Sequence, residues 1–202
     1  MKKLLVFIVI QVFAAGLCLN AQKIKMQKGS LDFLKGQKSL LVTFDYSDMA
    51  VGKFDKEEDY IEKKKTEYNE KEAGKGDTWA ESWVSDRETR YEPKFETLFN
   101  KYMEKAGLVG NRDVTDAQYE MNVHTIFTEP GFNVGVMRKP AYIDVVVTFK
   151  DISTGEEKAS LTADNCPGQD AFGYDFDTGY RIEESYAKLG KSLAGYILKQ
   201  IK

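Results

Sequence analysis

The sequence predicts an α+β domain in which a mixed, mostly antiparallel four-stranded sheet carries two main helices on one face, in the order β-α-β-β-β-α. Three observations lead to this prediction. Apolar and polar residues alternate at 39–47, 119–128 and 142–152, as they do in half-buried strands. Apolar residues recur at helical spacing at 79–103 and 182–201. A helical crossover between the first two strands implies that they are parallel, whereas the short connection after residue 152 implies an antiparallel hairpin.

Residues 1–21 are predicted to be a cleaved secretory signal peptide rather than part of the domain. Lys2 and Lys3 precede an apolar run from Leu4 to Leu19, and the chain turns polar after Ala21, the expected cleavage site. We therefore expect an exported protein in the periplasm or at the cell surface of a Gram-negative bacterium, without a stable membrane anchor after cleavage.

Two alternatives to simple cleavage stay open. The apolar run could serve as a membrane anchor, although it is shorter than the about 20 residues that a spanning helix needs. Cys18 could be lipidated, although Leu17 before it is bulkier than a lipoprotein signal favours. Removal of residues 1–21 would leave Cys166 as the remaining cysteine, which excludes an intramolecular disulfide, and we expect this thiol to be buried and unreactive.

Composition limits the classes of partner. The chain has 29 Lys and Arg against 32 Asp and Glu, a net charge of −3, so nucleic acid is not an expected partner. Residues 22–202 are enough for one ordinary core and are predicted to form a single domain. A charged excursion at about 53–77 is expected to be a solvated helix or a mobile segment, with a partner-binding arm as the alternative.

The first half of the domain contains one clear strand and one helical region. Residues 22–38 are Lys-rich and weakly patterned, with a short turn or edge strand at 31–34. The strand at 39–47 follows. After an expected N-cap at Asp77, the helical spacing predicts either helices at 78–91 and 93–106 or one helix kinked at Pro93.

The second half is predicted to be a meander followed by a helix. Strands are expected at 119–128, 142–152 and 157–163, and Val145 and Val147 should lie at the centre of the sheet. The connections between these strands are a long turn at 129–140 and a tight turn at 153–156. A polar loop at 164–179 leads to the last helix, at about 178–201.

No group of residues predicts catalysis. His124 is the only histidine, and a residue on a strand face is its preferred interpretation. A calcium site is the only cofactor that the sequence suggests, with Asp170, Asp175 and Asp177 as candidate ligands. The alternative for Asp177 is an N-cap of the last helix.

Four aromatic residues are candidates for contacting a ligand or partner. Trp79 and Trp83, about one helical turn apart, could form a platform on which a sugar stacks; core packing is the alternative. Phe172 and Tyr174 could form an apolar recognition rim, or pack against the sheet.

Three segments together resemble a loose group of uncharacterised exported envelope proteins: SLLVTFDYS, DISTGEEKASL and RIEESYAKLGKSLAGYILKQI. Their small α/β domain is similar to the N-terminal domain of TolB and to curli-secretion-type lipoproteins. The resemblance covers about 39–202, mainly in element order, and implies binding to other envelope components without catalytic residues.

The functional expectation is therefore an exported, non-enzymatic protein that binds or scaffolds an envelope protein or glycan. One alternative is a carboxylate-dependent hydrolase acting on glycans, which would need two carboxylates about 5–10 Å apart in a concave pocket. The other is a small-ligand binder with a cavity between sheet and helices.

Overall fold

A seven-stranded mixed sheet runs through the centre of the protein. The computed structural model describes residues 22–168 and 177–202. The strands of these residues are β1 (Lys23–Gly29), β2 (Ser39–Asp45), β3 (Ala50–Val51), β4 (Val109–Asn111), β5 (Tyr119–Glu129), β6 (Phe132–Asn133), β7 (Arg138–Lys139), β8 (Ala141–Asp151) and β9 (Glu157–Gly168). The order across the sheet is β1-β9-β8-β5-β2-β4; β3 also pairs with β5, while β6 and β7 form a separate two-stranded ribbon.

The prediction of a four-stranded sheet is wrong because three further strands extend the predicted set. β1 adds antiparallel to β9, and the short β3 and β4 pair in parallel with β5 and β2. The pairing of the four predicted strands was anticipated: β2 is parallel to β5, and β5, β8 and β9 are antiparallel neighbours. The α+β class and the mixed sheet therefore hold, but the strand number does not.

The helices of the described residues are α1 (Glu57–Asn69), α2 (Lys75–Asp86), α3 (Glu92–Met103) and α4 (Thr178–Gln200). A π-helical turn, Arg87–Tyr91, joins α2 to α3, so the chain forms three helical bodies rather than two main helices. The expected N-cap Asp77 instead lies inside the first turn of α2, which begins after Gly74. The α1 helix occupies the charged excursion and contains no fully buried residue.

The π-helical turn is a consequence of Pro93. Proline has no backbone N–H, so it cannot donate to the carbonyl four residues earlier. The Glu92 N–H instead bonds to the Arg87 carbonyl, five residues earlier, and Pro93 then occupies the start of α3, where a missing donor costs little. The predicted break at Pro93 is thus a change of helical register within one continuous helix.

The core lies between alternate residues of the sheet and the inner faces of α3 and α4. Ile143, Val145, Val147 and Phe149 of β8 are fully buried, and the residues between them are partly exposed. Helices α3 and α4 approach closely at Gly190, where a Cβ would come within 2.5 Å of the Phe95 carbonyl oxygen. Within the described ranges, no helix has the length and apolar character needed to cross a bilayer.

Candidate interaction surface

The ribbon formed by β6 and β7 ends in a group of exposed apolar side chains. Val134 is 61% exposed, Val136 94% and Met137 63%, and Phe132 beside them is 42% exposed. The turn itself is ordered by hydrogen bonds, from the Val134 N–H to the Met137 carbonyl at 3.0 Å and from the Gly135 N–H to Asn133 Oδ1 at 2.9 Å. We call residues 132–139 the apolar hairpin.

A buried carboxylate holds the base of the apolar hairpin. Glu129, 9% exposed, accepts hydrogen bonds from the Gly131 N–H at 3.0 Å and from Lys139 Nζ at 2.5 Å, so it links the two ends of the hairpin. Gly131 has a positive φ of 61°, and a Cβ there would come within 2.3 Å of the Lys139 carbonyl oxygen. Glycine is therefore required at this turn.

The first turns of α4 hold the same base from the other side. Arg181 is 3% exposed, and its Nε and Nη2 donate to the carbonyl oxygens of Pro130 at 3.1 Å and Gly131 at 3.2 Å. Nη2 also donates to Thr178 Oγ1 at 2.9 Å. A buried guanidinium with its donors satisfied by backbone carbonyls fixes this irregular segment to the domain.

The base of the apolar hairpin is therefore rigid while its tip presents aliphatic side chains to water. Such exposed apolar groups mark interaction sites more often than single scattered residues do. The sequence predicts only a long turn at 129–140. The signal that could have identified the surface is the run Val134-Gly135-Val136-Met137, since turns are otherwise polar.

The structure places Trp79 and Trp83 in an aromatic cluster under α1. Tyr60 lies 5.8 Å from Trp79 and 5.0 Å from Trp83, measured between ring centroids, and Tyr68 lies 5.7 Å from Trp79. Trp83 is 6% exposed, and its indole N–H donates to Glu57 Oε1 at 2.6 Å. These rings pack α1 onto α2; a ligand-contacting role for the two tryptophans stays a prediction.

Of the predicted calcium ligands, Asp177 lies in the described chain. Its carboxylate accepts a hydrogen bond from the Tyr180 N–H at 3.0 Å, which confirms the N-cap interpretation, and it also contacts Arg90 Nη1 at 3.2 Å. Asp170 and Asp175, like Phe172 and Tyr174, lie outside the described residues. Within residues 22–168 and 177–202, no group of three or more His, Cys, Asp or Glu side chains has the geometry of a metal site.

A buried polar cluster joins α1, the π-helical turn and the end of β2. The Arg87 guanidinium forms a salt bridge with Glu57 and lies 4.4 Å from the centroid of the Tyr46 ring. The Tyr46 hydroxyl donates to Glu92 Oε1 at 3.2 Å. Arg112 forms salt bridges with both Glu92 and Glu96, so one guanidinium reduces the repulsion between these neighbouring carboxylates.

The space beside this cluster is too small for an organic ligand. Its volume is about 10 Å³, room for a single water molecule. Burial raises the pKa of Tyr46, Tyr91 and Tyr186 far above the usual range, so these phenols stay protonated. The Tyr91 hydroxyl is buried and has no hydrogen-bond partner among residues 22–168 and 177–202.

Cys166 and His124 occupy structural positions. Cys166 is fully buried on β9, as expected, and burial raises the pKa of its thiol, which disfavours the reactive thiolate. His124 lies on a face of β5, as predicted, and its Nε2 is 2.8 Å from the Ser47 carbonyl oxygen.

Comparisons with known proteins relate the chain to solved structures only. No family model matches it, and no curated protein sequence matches it. It is similar to PelC from Paraburkholderia phytofirmans, solved as a dodecamer, with 14% identity over 86% of this chain and 97% of that chain and a TM-score of 0.40. It is also similar to a Xanthomonas campestris protein of the DUF330 family, with 13% identity over 82% and 86% of the two chains and a TM-score of 0.38.

These values are too low for statements about function or assembly. The resemblance to the TolB domain and to curli-secretion-type lipoproteins stays a prediction, since neither protein is among these structural neighbours. Function is therefore argued from the residues of this chain.

Proposed function

We propose that the protein is an exported component of a Gram-negative envelope that acts by binding another envelope protein through the apolar hairpin, without catalysis. The observation that carries this proposal is the exposure of Val134, Val136 and Met137 on a hairpin whose base is rigidly held. The signal-peptide pattern of residues 1–21 supports export.

The side chains at the tip of the apolar hairpin favour a protein over a glycan as the binding partner. Branched and thioether side chains offer neither the flat aromatic face on which a sugar ring stacks nor directed hydrogen-bond donors. They fit an apolar pocket on a protein, and methionine adapts its shape to such a pocket. A rigid base also lowers the conformational entropy lost on binding, because the hairpin does not have to order itself.

Site-specific photocrosslinking in the native envelope tests the proposal. A benzophenone amino acid at position 136 should give one dominant protein adduct, and the same probe at Ile152 should not. Ile152 is a suitable control because it is also an exposed apolar residue in a turn, 48% exposed, but belongs to the β8–β9 hairpin.

Replacing Val134 and Met137 with serine should remove the adduct formed from position 136. Equal adducts from positions 136 and 152, or none from position 136, would contradict the proposal. An adduct of twice the protein's own mass would instead show that the hairpin binds a second copy of the chain.

A further inference from the structure

A groove of about 500 Å³ lies at the far end of α4 from the apolar hairpin. The last turns of α4 form one wall, and the turns that precede β2 and follow α3 form the other. Leu34, Ala106, Leu198 and Ile201 supply its apolar lining. The volume falls within the range of sites that bind small molecules, about 300–1,000 Å³.

Four lysines, Lys35, Lys105, Lys199 and Lys202, line the same groove. Lys35 forms a salt bridge with Asp32 at 2.9 Å. For the other three, no carboxylate of residues 22–168 or 177–202 lies within 4.0 Å. Three ammonium groups without a carboxylate partner in these two ranges outnumber the single α-carboxylate of Lys202 and the partial negative charge at the end of α4, so the groove has a local excess of positive charge, which attracts anions.

The negative end of the α4 dipole explains the position of one lysine, but it does not explain why lysines and apolar residues line the same groove. Lys199 lies in the last turn of α4, where a cation complements the negative end of the helix dipole. That effect needs no apolar groove beside the ammonium group. The combination of apolar lining and unpaired lysines is instead the pattern complementary to an amphiphile with an anionic head group.

A glycine in α4 keeps the groove open. A Cβ at Gly195 would meet no atom within 4 Å, so close packing does not require glycine there. Glycine in a helix interior makes the helix less stable than alanine would. At position 195 it also leaves the space beside the helix unfilled. Gly195 and Lys199 also line an adjoining groove of about 410 Å³. Its other lining residues are Ile24, Tyr102 and Tyr196, with Gln22, Lys191 and Ser192.

We propose that the two joined grooves bind an amphiphile with one acyl chain and an anionic head group. The head group lies against Lys105, Lys199 and Lys202, and the chain crosses Gly195 towards Tyr102. This site is separate from the apolar hairpin and does not depend on the proposed partner binding.

Calorimetric titration of the purified protein with twelve-carbon amphiphiles, kept below their micellar concentrations, tests the head group. Dodecanoate and dodecyl phosphate should each bind at least tenfold more tightly than dodecylammonium. The ratio of the two anions distinguishes a fatty acid from a lysophospholipid as the natural source. Shortening dodecanoate should weaken binding about fourfold for each methylene removed, because the chain is buried in the groove.

Two variants and one control variant test where on the protein the amphiphile binds. Lys105→Gln combined with Lys199→Gln should weaken dodecanoate binding at least tenfold, whereas Lys25→Gln combined with Lys150→Gln should leave it unchanged. Lys25 and Lys150 are exposed lysines on the sheet and provide an equal change in charge. Gly195→Leu should abolish binding by filling the groove, with no loss of thermal stability, because leucine favours the helix and its Cβ has free space.

Three results would overturn the inference. The first is equal affinity for dodecanoate and dodecylammonium, which would show that the lysines do not select the head group. The second is unchanged dodecanoate binding by the folded Gly195→Leu variant, which would place the chain elsewhere. The third is no binding of any of the three amphiphiles.

Discussion

At the residue scale, the alternation of side chains along a strand determines which residues are buried. Val145 and Val147 were expected at the centre of the sheet, and both are fully buried on β8, between β5 and β9. Val146, between them, points to the other face and is partly exposed. This alternation was readable from the sequence because β8 is long and rich in β-branched residues.

Val147→Ala should lower the free energy of unfolding by about 1–3 kcal/mol, because the lost methyl groups leave a cavity in the core. Val146→Ala is the matched control, with the same chemical change one residue away on the partly exposed face, and should cost clearly less. Urea denaturation measures both. Equal losses would mean that the assigned register of β8 is wrong.

A residue-scale feature also explains one error of the sequence interpretation. The sequence predicts that Asp164 and Asn165 begin a polar loop, but β9 continues to Gly168. The two residues form a β-bulge opposite Asp144, in which Asn165 has a φ of 54° and its N–H donates to Asp144 Oδ1 at 2.6 Å. Local composition could not distinguish this bulge from a turn, because both favour Asn and Asp.

At the element scale, the contact between α3 and α4 depends on the absence of a side chain at one position. Gly190→Ala should destabilise the protein by about 1–3 kcal/mol, because its Cβ would overlap the Phe95 carbonyl oxygen and force the helices apart. Gly195→Ala, five residues later in the same helix, should instead stabilise by up to about 1 kcal/mol. Thermal denaturation with both variants separates packing from helix propensity. Stabilisation by Gly190→Ala, as expected for Gly195→Ala, would refute the assigned contact.

The attachment of α1 depends on its aromatic contacts and on one partly buried ion pair, since no α1 residue is fully buried. In the Glu57–Arg87 pair, side-chain exposures are 12% and 19%. Arg87→Met should cost about 1.5–3 kcal/mol, because it leaves the Glu57 carboxylate with fewer donors.

A double-mutant cycle with Glu57→Gln isolates the coupling between the two side chains. Faster amide exchange confined to α1 should accompany the loss. A coupling near zero would show that this ion pair does not help to hold the helix.

The elements that the sequence did not predict are the ones that depend on distant partners. β3 and β4 contain two and three residues, too few for any period to appear. β1 does alternate, with Ile24 and Met26 facing inwards, but its lysines obscure the pattern and its pairing with β9 lies more than a hundred residues away. Its exposed lysines suit an edge strand, where charge discourages pairing with other chains.

At the scale of the whole molecule, α4 connects two surfaces of different chemistry. Arg181 in its first turns holds the apolar hairpin, and its last turns form the lysine-lined groove. Of the residues predicted from the sequence as ligand contacts, Trp79, Trp83 and Asp177 lie in the described part of the chain, and none of these three belongs to either surface. Aromatic platforms and acidic clusters are patterns that a sequence shows directly, whereas both surfaces arise from residues that the fold brings together or leaves exposed.

The residues that we propose bind the partner lie outside the core. We therefore expect that the tip of the apolar hairpin can be removed without loss of stability. Among the strands that the structure describes, β6 and β7 pair with each other and with no other strand, through Phe132 with Lys139 and Asn133 with Arg138. Replacing Val134–Met137 with Asn-Gly creates a two-residue turn between the paired Asn133 and Arg138, a length and sequence that antiparallel hairpins favour. The contacts of Glu129 and Arg181 at the base are untouched.

We expect the free energy of unfolding of this shortened variant to lie within about 0.5 kcal/mol of that of the natural chain, since only exposed residues are removed. Binding to the envelope partner should be lost, as measured by co-purification after crosslinking from a position outside the hairpin, with the Ile152→Ser variant retaining it. A destabilised variant would show that the tip packs against the domain. A stable variant that still binds would place the partner elsewhere, and dodecanoate affinity should be unchanged in either case because the groove lies at the other end of α4.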